Sequence, residues 1–379
     1  MRLHLRTLVD ALARHHDVTV LALRWPEQHG QIDGVELLTI EAPTATPTRY
    51  TRDRVVAALR HRPVDWERLA DPFASRLPSL LGAHDFDVAH VELEDLSGIA
   101  PLLAELPSVI APLDARHLNI AAQASQARGI ERWWRTQQQG SMRRALKTAL
   151  RPYGAAVFVT EEDADAVRRL DPSLRAVTIP IAVDSARFAR PENQPPHDRR
   201  LIVFTATLSA PANVAAAERL ARRVFPLVRG SVPDARLVLA GRAPPAAVRA
   251  LAGLQGVEVL GDPPDIRPWL WNAAAFACPI TAGTGMKNTL LEAMAAGAAA
   301  VATTNACRGL SARDGDQLLV ADADQSFADG LVRLLRDCTL REALGDAASR
   351  YAVTHHAPQV IAAQFAVLYA DVAGSVGSG

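Results

Sequence analysis

The apolar positions of this chain follow two rhythms. Leu5, Leu8, Val9 and Leu12 recur at helical spacing, and VTVLAL (18–23) follows as a short continuous apolar run, the pattern of a parallel strand buried on both faces. The same kind of run returns in GVELLTI (34–40), FDVAHVEL (86–93), PSVIAPL (107–113), AAVFVT (155–160) and RAVTIP (175–180). The stretches between them predict helices over 51–61, 72–83, 118–149 and 161–170. ARPENQPPHDRR (189–200), with its prolines and charges, predicts an exposed linker. The alternation then restarts. Strands LIVFTAT (201–207), RLVLAG (236–241), VEVLG (257–261), AAFACPI (274–280) and AAVATT (299–304) alternate with helices over 211–229, 245–253, 265–272 and MKNTLLEAMAAG, which Gly297 closes as a C-cap. Helices over 323–337, 339–350 and 357–373 follow, and GSVGSG (374–379) reads as a flexible tail, in part a cloning remnant.

Such alternation predicts parallel α/β sheets, and 379 residues suit two domains rather than one. The expected division is 1–188, linker 189–200, and 201–356. Hydrophobic residues at 49% and charged residues at 22% fill ordinary cores and exclude a disordered chain. Lys plus Arg (41) equals Asp plus Glu (41), so net charge asks for neither nucleic acid nor an anionic surface as an obligatory partner. Three cysteines without a CxxC pair argue against a disulfide framework or zinc site and predict a reducing, cytoplasmic compartment. The first residues lack the apolar core of a signal peptide, and TLLEAMAAGAAAVATT (289–304), broken by Glu292 and Gly297, is too short to cross a bilayer of about 30 Å.

One segment carries candidate chemistry. A glycine turn leaving a parallel strand and entering a helix presents backbone N–H groups and the positive end of the helix dipole, a place for phosphate. In GTGMKNTLLE, Gly285, Asn288 or Thr289, and Glu292 fall on one helix face, and Lys287 adds a full charge near the first turn. Seven residues of helix rise roughly 10 Å. That separation suits a diphosphate at the tip and a ribose whose hydroxyls donate to Glu292. The chain has only two lysines, Lys147 and Lys287, so a lysine here is an unusual choice; a Glu on an apolar helix can also be an edge residue with no ligand. TAGTGMKN has only G-x-G after its strand, which disfavours a hydride-transferring dinucleotide enzyme.

AAFACPITAGTGMKNTLLEAMAAGAAAVATTNACRGL resembles the nucleotide-binding stretch of the family-4 glycosyltransferases, enzymes of the GT-B fold, and among them the bacterial sugar transferases with a GTGxKN-type loop. VPDARLVLAG, GVEVLGDPPDIRPWLWNAA and LLRDCTLREALGDAASRYAV are similar to the family's second domain, and VFVTEEDADAVRRL and IPIAVDSARF to the end of its first. With RPVDWERL and FDVAHVEL, the likeness covers most of the chain. The resemblance implies two doubly wound Rossmann-like domains facing across a cleft, with the last helix, 357–373, crossing back to the first. It implies a nucleoside-diphosphate sugar donor held mainly by the second domain, and a small-molecule, lipid-linked or glycan acceptor held by the first. Transfer would retain configuration, with no metal and no cofactor, and with at most peripheral membrane contact. Residue by residue, Glu292 would bind the ribose, Gly285, Lys287 and Asn288 would approach the diphosphate, Arg267 would lie near the base, and Arg242 is a further diphosphate candidate.

The chain departs from the family in three places. Thr284 stands where a second glutamate, near the donor sugar, is often found. FTATLSAPAN (204–213) offers Thr205, Thr207, Ser209 and Asn213 where an Arg and a Lys usually meet the diphosphate, leaving Lys287 to carry more of the charge. The strand and glycine-rich turn that open the family's first domain are absent before MRLHLRTLVDALARHHDV, so the expectation is a start upstream of Met1, a truncated gene, or a shortened and rearranged first domain. In that domain His117 and Asp114 of DARHLN sit where a strand passes into a helix, where His117 would contact the donor sugar and Asp114 orient a hydroxyl; a surface capping pair is the alternative. His90 and Glu92 read as hydrogen-bonded core polars or acceptor contacts. Trp133 and Trp134, beside Arg132 and Arg135, fit either a buried stripe or an acceptor- or membrane-facing patch. Rival functions are a catalytically impaired partner protein, motivated by Thr284 and the missing strand, and a sugar-nucleotide epimerase.

Overall fold

The continuous apolar runs become parallel strands, because a strand covered by helices on both faces needs apolar side chains on both. The computed structural model describes residues 3–24, 34–42, 63–194 and 197–376; the helix expected over 51–61 lies outside them. The chain forms two units, Met1–Pro180 with Ile361–Gly379, and Ile181–Val360.

In the first unit, helix α1 (Leu3–Leu12) precedes the parallel pair β1 (Thr19–Arg24) and β2 (Glu36–Glu41). A second parallel sheet has the order β3 (Ala89–Glu92), β4 (Ser108–Leu113), β5 (Ala155–Phe158), β6 (Ala176–Thr178). Among the described residues, β1 and β3 each have a single hydrogen-bonded neighbour, and no described strand joins the two sheets. Leu21, Leu23 and Ile40 nevertheless pack against the same core as Val91, Ile110 and Phe158.

Several helices differ from the sequence pattern. The helix expected from residue 72 runs over Val64–Ala83 (α2), with Pro72 and Pro78 inside it; each proline removes one backbone donor, which hid the helix from a reading by breakers. The single helix expected over 118–149 is a hairpin of α3 (Arg116–Gln126) and α4 (Gly129–Leu150), broken where Gly129 takes φ 55°. A ten-residue 3-10 segment, Glu94–Leu103, had no signal of its own. Helix α5 (Glu161–Leu170) is capped by the Thr160 hydroxyl, which accepts from the Asp163 amide.

The chain divides before Ile181, ahead of the Pro-rich stretch expected to be the linker. The segment that follows is held by the second unit: the Val183 amide donates to the His356 carbonyl at 2.8 Å, and Trp271 Nε1 donates to the Phe188 carbonyl at 2.7 Å. Strand β7 (Asp198–Thr207) already begins inside the stretch.

The second unit has one six-stranded parallel sheet. With β8 (Arg236–Arg242), β9 (Val257–Gly261), β10 (Ala273–Cys278), β11 (Ala300–Ala302) and β12 (Leu319–Val320), its order is β12-β11-β10-β7-β8-β9. Ile202, Phe204, Leu237, Phe276 and Val301 are fully buried at its centre. The helices named below are α6 (Ser185–Phe188), α7 (Pro211–Arg219), α8 (Phe225–Ser231), α9 (Ala246–Arg249), α10 (Arg267–Asn272), α11 (Asn288–Ala295), α12 (Asp324–Arg336) and α13 (Cys338–His356). The last helix, α14 (Pro358–Val376), belongs to the first unit from Ile361 onward. No helix among the described residues is long and apolar enough to cross a membrane.

Candidate functional site

Counted by order of appearance in its own unit, the six-stranded sheet of the second unit runs 3-2-1-4-5-6, and its order reverses between β7 and β10. Ligands of open parallel sheets bind at the carboxyl ends of strands at such a switch point. The loops leaving these two strands contain the candidate donor residues.

After β10, residues 279–287 form the loop that enters α11. Gly283 (φ 98°) and Gly285 (φ 68°) adopt left-handed backbone there, which glycine takes without a Cβ penalty. Gly285 therefore lies in the loop and not on the helix face expected for it; α11 begins at the exposed Asn288. Lys287 is the N-cap residue and makes no side-chain cap. Its ammonium donates instead to the Thr284 carbonyl at 2.8 Å and the Gly285 carbonyl at 3.0 Å, so the charge is fixed within the loop. Asn305 Nδ2 donates to the Gly283 carbonyl at 3.3 Å, and the Thr303 hydroxyl donates to the Ile280 carbonyl, which ties the loop to the end of β11. The Thr289 hydroxyl bonds the Thr205 carbonyl and, at 2.6 Å, the Thr205 hydroxyl, anchoring α11 to β7 and turning Thr289 toward the sheet.

Beyond Thr205, β7 ends at Thr207, paired in register with Arg242 of β8; Arg242 Nη2 approaches the Thr207 hydroxyl at 3.4 Å. Helix α7 follows with Ala210 as N-cap and no capping side chain, so its first N–H groups have no side-chain acceptor. Two uncapped helix N-termini, α7 and α11, thus follow the two strands of the switch point.

One turn into α11, Glu292 is half-buried. Burial pushes its carboxyl up to about 7, and the Arg187 charge pulls the other way. No described side chain donates a hydrogen bond to it. Arg187 lies on α6, which packs against α11. Its carbonyl accepts from Arg267 Nη1 at 3.1 Å. Arg267 also grips Asp265, through Nη2 at 2.7 Å, and stacks over Trp271 at 5.6 Å from the ring centroid. The structure therefore joins Arg267, Arg187 and Glu292 in one neighbourhood. Arg187 was not singled out from the sequence; it lies far from the loop along the chain, and no spacing rule links the two.

The other candidates belong to the first unit. His117 is 4% exposed, and its Nδ1 is buried without a hydrogen-bond partner. Burial first, then Arg143 and Arg169, lower it to about 4, so the ring is neutral at pH 7. The surface-capping alternative is corrected: the N-cap of α3 is Ala115, whose amide donates to Asp163 Oδ1 at 3.1 Å. Beside His117, Arg116 binds Glu94 at 2.7 Å and Asp95 through two guanidinium nitrogens at 3.0 and 3.1 Å. Burial pushes Glu94 up to about 7 against the pull of Arg116. The residues preceding Glu94 and Asp114, namely Leu93 (φ 72°) and Leu113 (φ 71°), hold left-handed backbone that costs a leucine on the order of 1 kcal/mol. Glu94, Asp95 and Arg116 were not found from sequence, because the 3-10 segment bearing two of them has no periodic signal. His90 and Glu92 are half-buried and hydrogen-bonded: His90 Nδ1 meets the Tyr369 hydroxyl at 2.6 Å and Nε2 meets Glu92 at 3.2 Å, tying β3 to α14. Among the described residues, no three His, Cys, Asp or Glu side chains are placed to hold a metal ion.

Taken together, the strand order and the two glycine- and threonine-bearing loops at the switch point define the second unit as a Rossmann-like α/β domain. Comparison with known proteins makes this particular. Residues 199–337 match the family described as "Glycosyl transferases group 1". Over 212 residues, 53% of this chain, the sequence is 30% identical to the phosphatidyl-myo-inositol mannosyltransferase of Mycobacterium tuberculosis, and equally to that of Mycobacterium bovis. The chain spans about half the length of these curated relatives, 55%. Among solved structures it is similar to sucrose-phosphate synthase from Thermosynechococcus elongatus, with TM-score 0.74 and 15% identity over 98% of this chain and 93% of that one. It is also similar to Anabaena Alr3699/HepE in complex with UDP and glucose, with TM-score 0.66 and 14% identity over 97% and 96% of the two chains. The chain shares the GT-B fold of these solved structures.

Proposed function

We propose that this protein transfers a sugar from a nucleoside-diphosphate sugar to an acceptor hydroxyl, with retention of configuration at the anomeric carbon. The observation that carries the reading is Glu292: a desolvated carboxyl with no side-chain hydrogen-bond donor among the described residues, on the helix that follows a glycine loop at the switch point. Such a group is costly to keep unless a ligand completes it. Two vicinal ribose hydroxyls would do so. The diphosphate would then lie toward the loop, near Lys287 and the uncapped N–H groups of α11 and α7. Thr207 and Arg242 would meet it from the β7 and β8 ends, and Thr284 would stand beside the sugar. Arg267, with Arg187, would flank the base.

In the reaction, the bond between the anomeric carbon and the diphosphate oxygen breaks, the bond to the acceptor oxygen forms, and the acceptor proton leaves with the nucleoside diphosphate. Cationic and N–H stabilisation of the departing diphosphate is the main task of the second unit. The relatives support this donor class. One is a mannosyltransferase by name, and HepE has been crystallised with UDP and glucose. His117, neutral at pH 7, and Asp114 would serve the reacting sugar and the acceptor hydroxyl. The catalysis would run without a metal in the cytoplasm, and EDTA is expected to leave turnover unchanged.

Two experiments test this reading. Incubation with UDP-glucose and GDP-mannose, followed by proton NMR of the released or transferred sugar, is expected to show the donor's α-configuration in the first-formed product; a β-anomer overturns retention. Lys287→Ala is expected to weaken UDP or GDP binding about tenfold and the parent nucleoside by less than twofold, as measured by calorimetry. Equal losses for both would mean that Lys287 acts by bracing the loop through Thr284 and Gly285 and not on the phosphates.

A further inference from the structure

The first three turns of α4 form the most exposed apolar surface among the described residues. Ile130 is 84% exposed, Trp133 59% and Trp134 60%. Their i, i+3, i+4 spacing puts all three side chains on one helix face. That face does not continue the core stripe of the same helix. Met142, Ala145, Leu146, Ala149 and Leu150 are its buried residues, and at 3.6 residues per turn their direction lies roughly 120° around the axis from Ile130 and the tryptophans. The helix is thus apolar in two directions: its C-terminal half packs beside Trp66, while its N-terminal half, at the tip of the α3–α4 hairpin, points apolar rings at solvent.

Positive charge predominates along this part of the helix. From residue 128 to 144 the helix and its N-cap carry five arginines, Arg128, Arg132, Arg135, Arg143 and Arg144, against one acid, Glu131, in a chain whose overall charge is zero. Glu131 is occupied by Arg135 at 3.1 Å. A helix is about 10–12 Å across, so arginines flanking and backing the apolar face lie within about a Debye length of any surface that the tryptophans touch. Adjacent tryptophans suit the zone between lipid headgroups and acyl chains, where one end of the ring is apolar and the other wet.

We infer that the tip of the α3–α4 hairpin is a docking element for anionic lipid bilayers, inserting Ile130, Trp133 and Trp134 at the headgroup boundary while the arginines hold the lipid charge. This inference stands on the surface alone and is independent of the donor site. It corrects the buried-stripe reading of the two tryptophans.

The test uses the full chain, sedimented with phosphatidylcholine vesicles with and without phosphatidylglycerol. The wild type is expected to pellet with the anionic vesicles and to be released by salt. Trp133→Ser/Trp134→Ser is expected to lower partitioning at least tenfold, and Arg128→Gln/Arg132→Gln about tenfold on anionic vesicles only. Circular dichroism and nucleotide binding of each variant should match the wild type, which separates lost docking from lost folding. Pelleting of the tryptophan variant equal to wild type, or no pelleting of the wild type above the vesicle-free control, overturns the inference. So does a wild-type dimer in solution that the tryptophan variant converts to monomer, because the face would then be covered by a second copy.

Discussion

Glu292→Gln is expected to stabilise the unliganded protein above pH 7 while weakening its hold on nucleoside diphosphates. The wild-type carboxyl is raised by burial from an ordinary value of 4.5 to about 7. A raised carboxyl binds its proton more tightly in the folded than in the unfolded chain. Stability from this group is therefore undiminished below the unfolded value near 4.5, falls as pH rises toward about 7, and stays reduced above it. The full cost corresponds to at most about 3 kcal/mol. An amide carries no such cost but still needs hydrogen bonds, so a gain of roughly 1–2 kcal/mol at about pH 8 is expected, shrinking to nothing near pH 4.5. Denaturant melts of both proteins across that range check it. In the same variant, loss of two charge-assisted bonds to ribose should weaken the nucleotide 10- to 100-fold. A stability difference that does not change with pH would mean that the carboxyl is solvated. Unchanged affinity would remove Glu292 from the ribose.

Gly241→Ala is expected to cost the second unit at least about 3 kcal/mol, or to prevent its folding. Gly241 pairs with Ala206 across β7 and β8, and a Cβ at this position would stand 1.7 Å from the Ala206 carbonyl oxygen. That neighbour is backbone of the adjacent strand and has no flexible end to move. The same change one residue before Arg242 would also displace the Thr207–Arg242 pair at the strand ends. Gly345→Ala should act similarly, since its Cβ would fall 2.3 Å from the Gly297 carbonyl oxygen, where α13 crosses the end of α11. Gly230→Ala, in α8 with open space around it, is the control and should be neutral or slightly stabilising. Thermal melts of the three variants separate a backbone clash from a general intolerance of alanine.

The contrast between these glycines also marks where sequence reading runs out. Strands such as LIVFTAT and AAFACPI were legible because parallel strands buried on both faces must be apolar throughout. The loop before α11 was legible because Gly283 and Gly285 sit where only glycine takes left-handed backbone cheaply. The intolerance expected at Gly241 was not legible, since it depends on which strand lies beside it. Pairing decides the rest as well. Arg187 meets Arg267 only because 181–188 packs on the second unit, which also moved the division of the chain ahead of the Pro-rich stretch. Glu94 and Arg116 meet through the ends of adjacent strands. Helical spacing put Trp133 and Trp134 on one face but could not say whether that face was covered, and it is exposed.

The central claim is that the carboxyl edge of the second unit's sheet holds a nucleoside diphosphate through Glu292. The most direct test is a thermal-shift titration of the whole chain with UDP, GDP, dTDP and ADP, run beside Glu292→Gln. A ligand bound only by the folded state at 100 times its dissociation constant adds about 2.7 kcal/mol, a shift of roughly 5–10 °C for a unit of this size. The account predicts a shift with one base that is lost or greatly reduced in the variant. A folded wild type that shifts with none of the four, or a variant that shifts as far as the wild type, contradicts it.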